Sequence, residues 1–187
     1  MPVRPTPRNI SNARDSMGRV QRETMSVPAG TGITAGTGTV ARSFIQRRGD
    51  MVVTTIFVDL TGLNSSSAGD IIGVNGTSNP CHFGRVVAAD MGTIIGGKVE
   101  CVEAPAGGIN DIDLFCATEG TGVEDGAVTS LTETSLVDSG AAWTSGRALG
   151  FVASPAAGQY LYLVGSGAGA SATYTAGQFV ITLFGTP

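Results

Sequence analysis

The chain has 187 residues, of which 28 are glycine, only 14% are charged and one, Lys98, is lysine. That length suits one domain with an appendage, and the glycine-rich, charge-poor composition favours many short strands with tight turns over helices. No run approaches the ~18 uninterrupted apolar residues of a membrane span, so no membrane is expected among the partners.

The net charge of −4 conceals a division. Arg4, Arg8, Arg14, Arg19, Arg22, Arg42, Arg47 and Arg48 face only Asp15 and Glu23 within residues 1–48, giving +6, while the remainder sums to −10. A basic segment on an acidic body can lie on its own body or a neighbour's, or seek another acidic partner. Residues 1–49 are therefore read as an extended basic N-terminal arm and 50–187 as the body.

In chain order, Pro2, Pro5 and Pro7 disfavour a helix at the start and favour extended chain. Residues 11–25 allow a short helix, but Met17, Val20 and Met25 form no apolar stripe. Residues 28–39 read as a Gly/Thr linker and 40–45 as a short strand. The body opens on Val52 to Leu60. Strand alternation puts Val52, Thr54, Ile56, Val58 and Leu60 on one face, the core face, and Val53, Thr55, Phe57 and Asp59 on the other. Phe57 suits no solvated surface and calls for a cover: a second layer, the arm or a neighbouring subunit.

A turn over 62–69 and a strand over 70–74, closed by Asn75-Gly76, follow. Residues 82–88 and 93–103 read as a hairpin around Asp90-Met91-Gly92. After a loop at 105–110, residues 111–117 alternate, with Ile112, Leu114 and Cys116 on one face. Residues 120–139 form the expected exposed loop, with a weak strand at 132–137. Strands at 143–152, 159–164 and 178–184 complete roughly eight, with a turn at 174–177, so the fold class is all-β, an antiparallel β-sandwich with jelly-roll connectivity among its options.

Residues 148–187 carry no charge. Burial between subunits would explain this, as would a Gly/Ser/Thr surface that is polar without charge. Phe57, Tyr160, Tyr162 and Phe184 are the expected oligomer contacts.

Signatures of chemistry are sparse. His82 is the single histidine, and its strand neighbour Cys81 would point to the opposite face, which disfavours a shared metal. No Gly-x-Ser-x-Gly elbow occurs. Residues 92–99 nearly spell a phosphate-binding loop, but Val99 stands where Ser or Thr would hold magnesium and strand text follows where a helix should begin. Asp111 and Asp113 could offer oxygens to calcium, although solvated strand carboxylates are commoner. Cys81, Cys101 and Cys116 form no disulfide framework, and no apolar leader precedes them, so synthesis in a reducing cytosol is the simpler account. Cys101 and Cys116 are expected as buried thiols on neighbouring strands. Neither an enzyme nor a cofactor is expected. The arginines are spaced and mixed with Pro, Ile, Val and Met, which suits protein surfaces better than nucleic acid.

The phrases TIFVDLTGL (55–63), GDIIG (69–73), NDIDLF (110–115), ASPAAGQYLYLV (153–164) and YTAGQFVITLFG (174–185) together resemble small β-rich virion proteins of tailed bacteriophages, particularly of marine and cyanobacterial hosts. The resemblance covers about 51–187 and brings no active-site motif. It implies a capsid decoration or cement protein, made in the host bacterial cytoplasm and carried on the virion. Its partners would be the major capsid protein and further copies of itself, most often as a trimer. The eight arginines of the arm would then grip the shell, because extended chain spans up to about 3.3 Å per residue. Two other readings stay open: a coat protein with a nucleic-acid-facing arm, and a fibre or adhesin module binding host glycan.

Overall fold

The alternation of Val52 to Leu60 sets the architecture. The computed structural model of the protein describes residues 27–169 and 171–187, and in it Val52, Thr54, Ile56, Val58 and Leu60 are all buried while Val53, Thr55, Phe57 and Asp59 are partly exposed. Strand β2 (Met51–Asp59) follows β1 (Val40–Arg48), and the two pair antiparallel over nine residues, from Val40↔Asp59 to Arg48↔Met51. Only Gly49 and Asp50 join them. Gly49 has φ +64°, the conformation that the first position of a tight hairpin loop requires and that glycine adopts without strain.

Strand β3 is Asn64–Ser65, β4 Thr93–Ala106, β5 Ile112–Ala117, β6 Glu133–Val137, β7 Ala148–Gly150, β8 Tyr160–Gly165, β9 Ala172–Thr173 and β10 Ala176–Thr186. They form a five-stranded sheet in the order β1-β2-β10-β4-β7, a three-stranded sheet β6-β5-β8 and the pair β3-β9. Every pairing between these strands is antiparallel. Strand occupies 45% of the described residues against 7% helix, and the sheets do not close into a barrel. The expected all-β, antiparallel sandwich is what the chain adopts.

Register decides the core. Phe179, Ile181 and Leu183 of β10 stand opposite Val58, Ile56 and Thr54, and opposite Cys101, Val99 and Gly97 on the other side. These apolar side chains and Leu114, Cys116, Leu161 and Leu163 of the second sheet belong to one buried cluster. Trp143 ties the layers: its indole N–H donates to the Ile112 carbonyl at 2.7 Å while its ring meets Phe179 edge-on at 5.4 Å.

Residues 28–39 are no linker. Helix α1 (Thr31–Thr34) carries Ile33 fully into the core, and backbone bonds from Gly30 N–H to the His82 carbonyl and from Gly32 N–H to the Pro80 carbonyl, both 2.8 Å, hold it there. A Cβ on Gly32 would overlap Cys81 Sγ and two carbonyls, so only glycine permits this approach. The arm expected over 1–49 is thereby shortened, since 27–48 is built into the sandwich. Residues 1–26, with the helix expected at 11–25, lie outside the described residues.

Other expectations change for one reason, long-range backbone pairing. Residues 82–87 are not half of a hairpin with β4; helix α2 (Ala88–Met91) intervenes. Phe83 N–H donates to the Leu161 carbonyl at 2.8 Å and Leu161 N–H to the Gly84 carbonyl at 2.9 Å, and Ile72 N–H meets the Leu163 carbonyl at 3.0 Å. Segments 70–73 and 83–86 thus close the open side of β8. Residues 120–139 are not an exposed excursion either, because Gly122, Glu124, Val128, Leu136, Val137 and Ser139 are buried. The uncharged stretch 148–187 includes β10 at the centre of the large sheet and β8 closed on both sides, so burial within the subunit accounts for much of its lack of charge.

Candidate functional site

The most open feature of the described residues is the outer margin of β1. A two-residue hairpin loop makes Arg48 and Met51 a mutually hydrogen-bonded pair, and such pairs recur every second residue. The N–H and C=O groups of Arg42, Phe44, Gln46 and Arg48 therefore turn towards β2, and those of Ala41, Ser43, Ile45 and Arg47 turn away. Among the described residues β1 pairs with β2 alone, and no backbone group meets those four outward residues. One local brace exists: the Ser43 hydroxyl accepts from Val27 N–H at 2.5 Å and donates to the Val27 carbonyl at 2.9 Å.

Three of the expected arm residues sit on this strand. Arg42, Arg47 and Arg48 are exposed, and among the described residues none is ion-paired, whereas Lys98 meets Glu100 at 2.9 Å. Arg48 Nη2 donates to Gln46 Oε1 at 2.8 Å, a bond between neighbours on one face. Arg4, Arg8, Arg14, Arg19 and Arg22 lie outside the described residues.

Around the arginines the outer sheet face sets aromatic side chains among Gln46, Thr55 and Thr182. Phe44 is 47% exposed. Phe57 stands between Arg42 and Val180 in the ladders, and Phe184 beside Val53, each partly exposed. Two expected oligomer contacts, Phe57 and Phe184, thus share a face that the second sheet does not cover. Tyr160 is partly exposed, 4.8 Å from the His82 ring and under the Arg85 guanidinium at 5.5 Å. Tyr162 is corrected: it is wholly buried in its own subunit, its hydroxyl donating to the Glu119 carbonyl at 2.8 Å and accepting from Gly122 N–H at 3.2 Å. Burial pushes that phenol up to about 12.

A second feature is a polar recess of about 430 Å³ lined by Ser66, Asn75, Gly76, Glu124, Asp125 and Ser171, among others. Glu124 is buried, and its carboxylate accepts from Asn64 Nδ2 at 2.8 Å, the Ser66 hydroxyl at 3.1 Å and Gly76 N–H at 3.0 Å. Asn64 and Glu124 are sixty residues apart, and no sequence signal marks them as partners. The carboxylate clamps three segments together, a structural use of a buried charge.

The aspartates weighed for calcium are also engaged structurally. Asp113 Oδ1 accepts from Ser139 N–H at 2.8 Å, and the Ser139 hydroxyl bridges Asp111 and Asp113. Arg147 secures the same corner through the Ala141 and Ser139 carbonyls and lies over the Trp143 ring at 5.0 Å. Among the described residues no three His, Cys, Asp or Glu side chains cluster as metal ligands. Residues 92–99 run from a turn at Gly92 into β4, with no helix after them.

His82 is partly buried, and burial lowers its affinity for a proton; its Nδ1 is buried without a partner. All three cysteines are free and buried. Cys101 and Cys116 lie in different sheets, not on neighbouring strands. Burial raises the Cys101 thiol and pushes Cys81 and Cys116 up to about 11, which makes them weak nucleophiles.

Fold and surface together define an all-β sandwich with a cationic sheet margin that is unfilled among the described residues. No protein family, curated protein or solved structure matches the chain.

Proposed function

We propose that this is a non-enzymatic virion structural protein of decoration or cement type, which binds a shell of major capsid protein and associates with further copies of itself, as a trimer in the leading form. The observation that carries the reading is the division of charge: +6 within residues 1–48 against −10 in the remainder. The positive segment continues into a strand whose outward side is unfilled among the described residues. Exposed Phe44 with Phe57 and Phe184 on the adjoining face adds apolar area of the kind protein contacts use. The phrases within 51–187 that resemble phage virion proteins are the ground for naming a capsid shell as the partner.

Co-sedimentation with purified capsid shells tests it. The truncation must stop at residue 26, because removal of 1–48 would also take out Ile33 and β1. Full-length protein should pellet with shells, and a chain lacking 1–26 should bind more weakly at equal fold content. Absence of full-length protein from the pellet at micromolar concentration overturns the reading.

The recess favours a second reading, a fibre or adhesin module. Its hydroxyl, amide and carboxylate lining matches the hydrogen-bonding groups of a sugar. A glycan array probed with the labelled protein decides it; no hits above background removes it.

A further inference from the structure

We propose that the outward side of β1 is a docking site for an extended, acidic segment of another polypeptide, which adds to the five-stranded sheet as a sixth strand. This deepens the shell-binding reading and rests on it for the partner's origin, but the geometry of the site is independent of that origin.

A strand margin with free N–H and C=O groups is a template for another strand. Here the groups of Ala41, Ser43, Ile45 and Arg47 are presented over nine residues in an unbroken register with β2. Among the described residues the other margins are covered or short, except along β4 outside 97–101, where no arginine stands. Segments 70–73 and 83–86 cover β8, Val152 N–H meets the Leu136 carbonyl of β6 at 2.8 Å, and β7 has three residues.

Charge selects among occupants. Pairing of β1 with β1 of a second copy would bring two sets of Arg42, Arg47 and Arg48 together, and like charges across strands repel. Residues 1–26 carry five arginines against Asp15 and Glu23 and have the same sign as the strand. A chain bearing carboxylates has the complementary sign, and arginine's fork can grip each carboxylate through two parallel bonds. Spacing then defines the pattern. Arg42, Phe44, Gln46 and Arg48 share the outer face, so a matching strand carries carboxylates at its two ends, opposite Arg42 and Arg48, and apolar side chains between them, over Phe44. The arrangement reads the same in parallel or antiparallel addition.

The probe is the peptide acetyl-Glu-Thr-Val-Thr-Val-Thr-Glu-amide, with a control bearing Lys at both ends, added to the full chain and followed by hydrogen exchange at single amides. With the Glu peptide, exchange at Ala41, Ser43, Ile45 and Arg47 should slow about tenfold or more, and Phe44 and Gln46, already bonded to β2, should change little. The Lys peptide should give no protection. The double variant Arg42→Glu/Arg48→Glu, altered only at exposed side chains, should exchange preferences and protect with the Lys peptide instead. The proposal is overturned by no protection at millimolar peptide, by equal protection from both peptides, or by protection of the four amides in the free chain. Light scattering in that last case tells whether a second copy or the chain's own first residues hold the margin. Shell binding separates the two readings: shells bound equally by the double variant overturn the docking site alone, whereas peptide binding without shell binding overturns the shell reading alone.

Discussion

Replacing Ile33 by alanine tests whether residues 27–39 belong to the fold. Ile33 is fully buried in a four-residue helix too short to persist alone, held by Gly30 and Gly32 against the carbonyls of His82 and Pro80. Ile33→Ala removes three buried carbon atoms and leaves a space that the surrounding glycine-rich backbone, already at contact distance, cannot readily fill. Large-to-small changes of this kind cost about 2–5 kcal/mol. Close packing around α1 places the expectation near the middle of that range, about 3–4 kcal/mol. For a chain of this length that lowers the melting temperature by roughly 6–16 °C at about 2–4 °C per kcal/mol. Differential scanning calorimetry and urea unfolding of the full chain measure it, with Thr31→Ala, an exposed neighbour, as the control. A loss below about 0.5 kcal/mol, the range of an ordinary surface substitution, would refute the packing argument and return residues 27–39 to the arm.

Three further outcomes follow from buried polar groups. Glu124→Ala leaves Asn64 Nδ2, the Ser66 hydroxyl and Gly76 N–H without their acceptor, and should cost about 2–5 kcal/mol in urea unfolding, with Glu124→Gln losing less because one acceptor oxygen remains. The pH dependence of stability should show His82. Burial holds its folded pKa below the ordinary 6.5, so as pH falls through 6.5 the unfolded chain takes up the proton first and stability declines until the folded pKa is reached; above 6.5 this contribution is constant. His82→Phe, which keeps a ring against Tyr160, should flatten the urea midpoint between pH 7.5 and 5.5. For the thiols, a group pushed up to about 11 is ~0.1% thiolate at pH 8. Ellman's reagent should therefore leave Cys81 and Cys116 unreacted in native protein and titrate all three cysteines in 6 M guanidinium.

What could be read from the chain was local. Val52 to Leu60 announces both its strand and its core face, because alternation is a property of nine consecutive side chains. The same holds for Ile112, Leu114 and Cys116 and for the last strand. Gly49 and Asp50 between two β-rich runs mark the hairpin that β1 and β2 make, although the arm boundary at 49/50 cut through it. That cut followed charge, which describes solvent exposure and not backbone pairing. The buried role of Ile33 was illegible for a different reason: one isoleucine among glycines and threonines makes no period, and its burial depends on carbonyls of residues 80 and 82. Tyr162 looked like a contact between subunits because the uncharged stretch 148–187 pointed to burial between them, whereas the Glu119 carbonyl and Gly122 N–H enclose its hydroxyl within the subunit. Of the candidate site, the arginines were legible and the free side of β1 was not, since a margin is defined by the order of strands in a sheet.

Why should this sandwich cover most of its margins and leave this one unpaired among the described residues? An unpaired strand is a hazard, and proteins blunt it with charge, brevity or cover. The body uses cover at β8 and brevity at β7. On β1 it uses charge, with arginine in every instance. Arginine repels another copy of itself as well as lysine would, yet also binds carboxylates in a fixed geometry, so the same residues that discourage self-association can select an acidic partner. The apolar side chains of Phe44, Phe57, Val180 and Phe184 lie beside that charge on one face, interspersed with Thr55 and Thr182. Solubility alone would favour polar residues at those positions, and sheet stability would favour a cover. A surface with apolar area and oriented positive charge side by side is explained by a partner that supplies both complements along one extended strand.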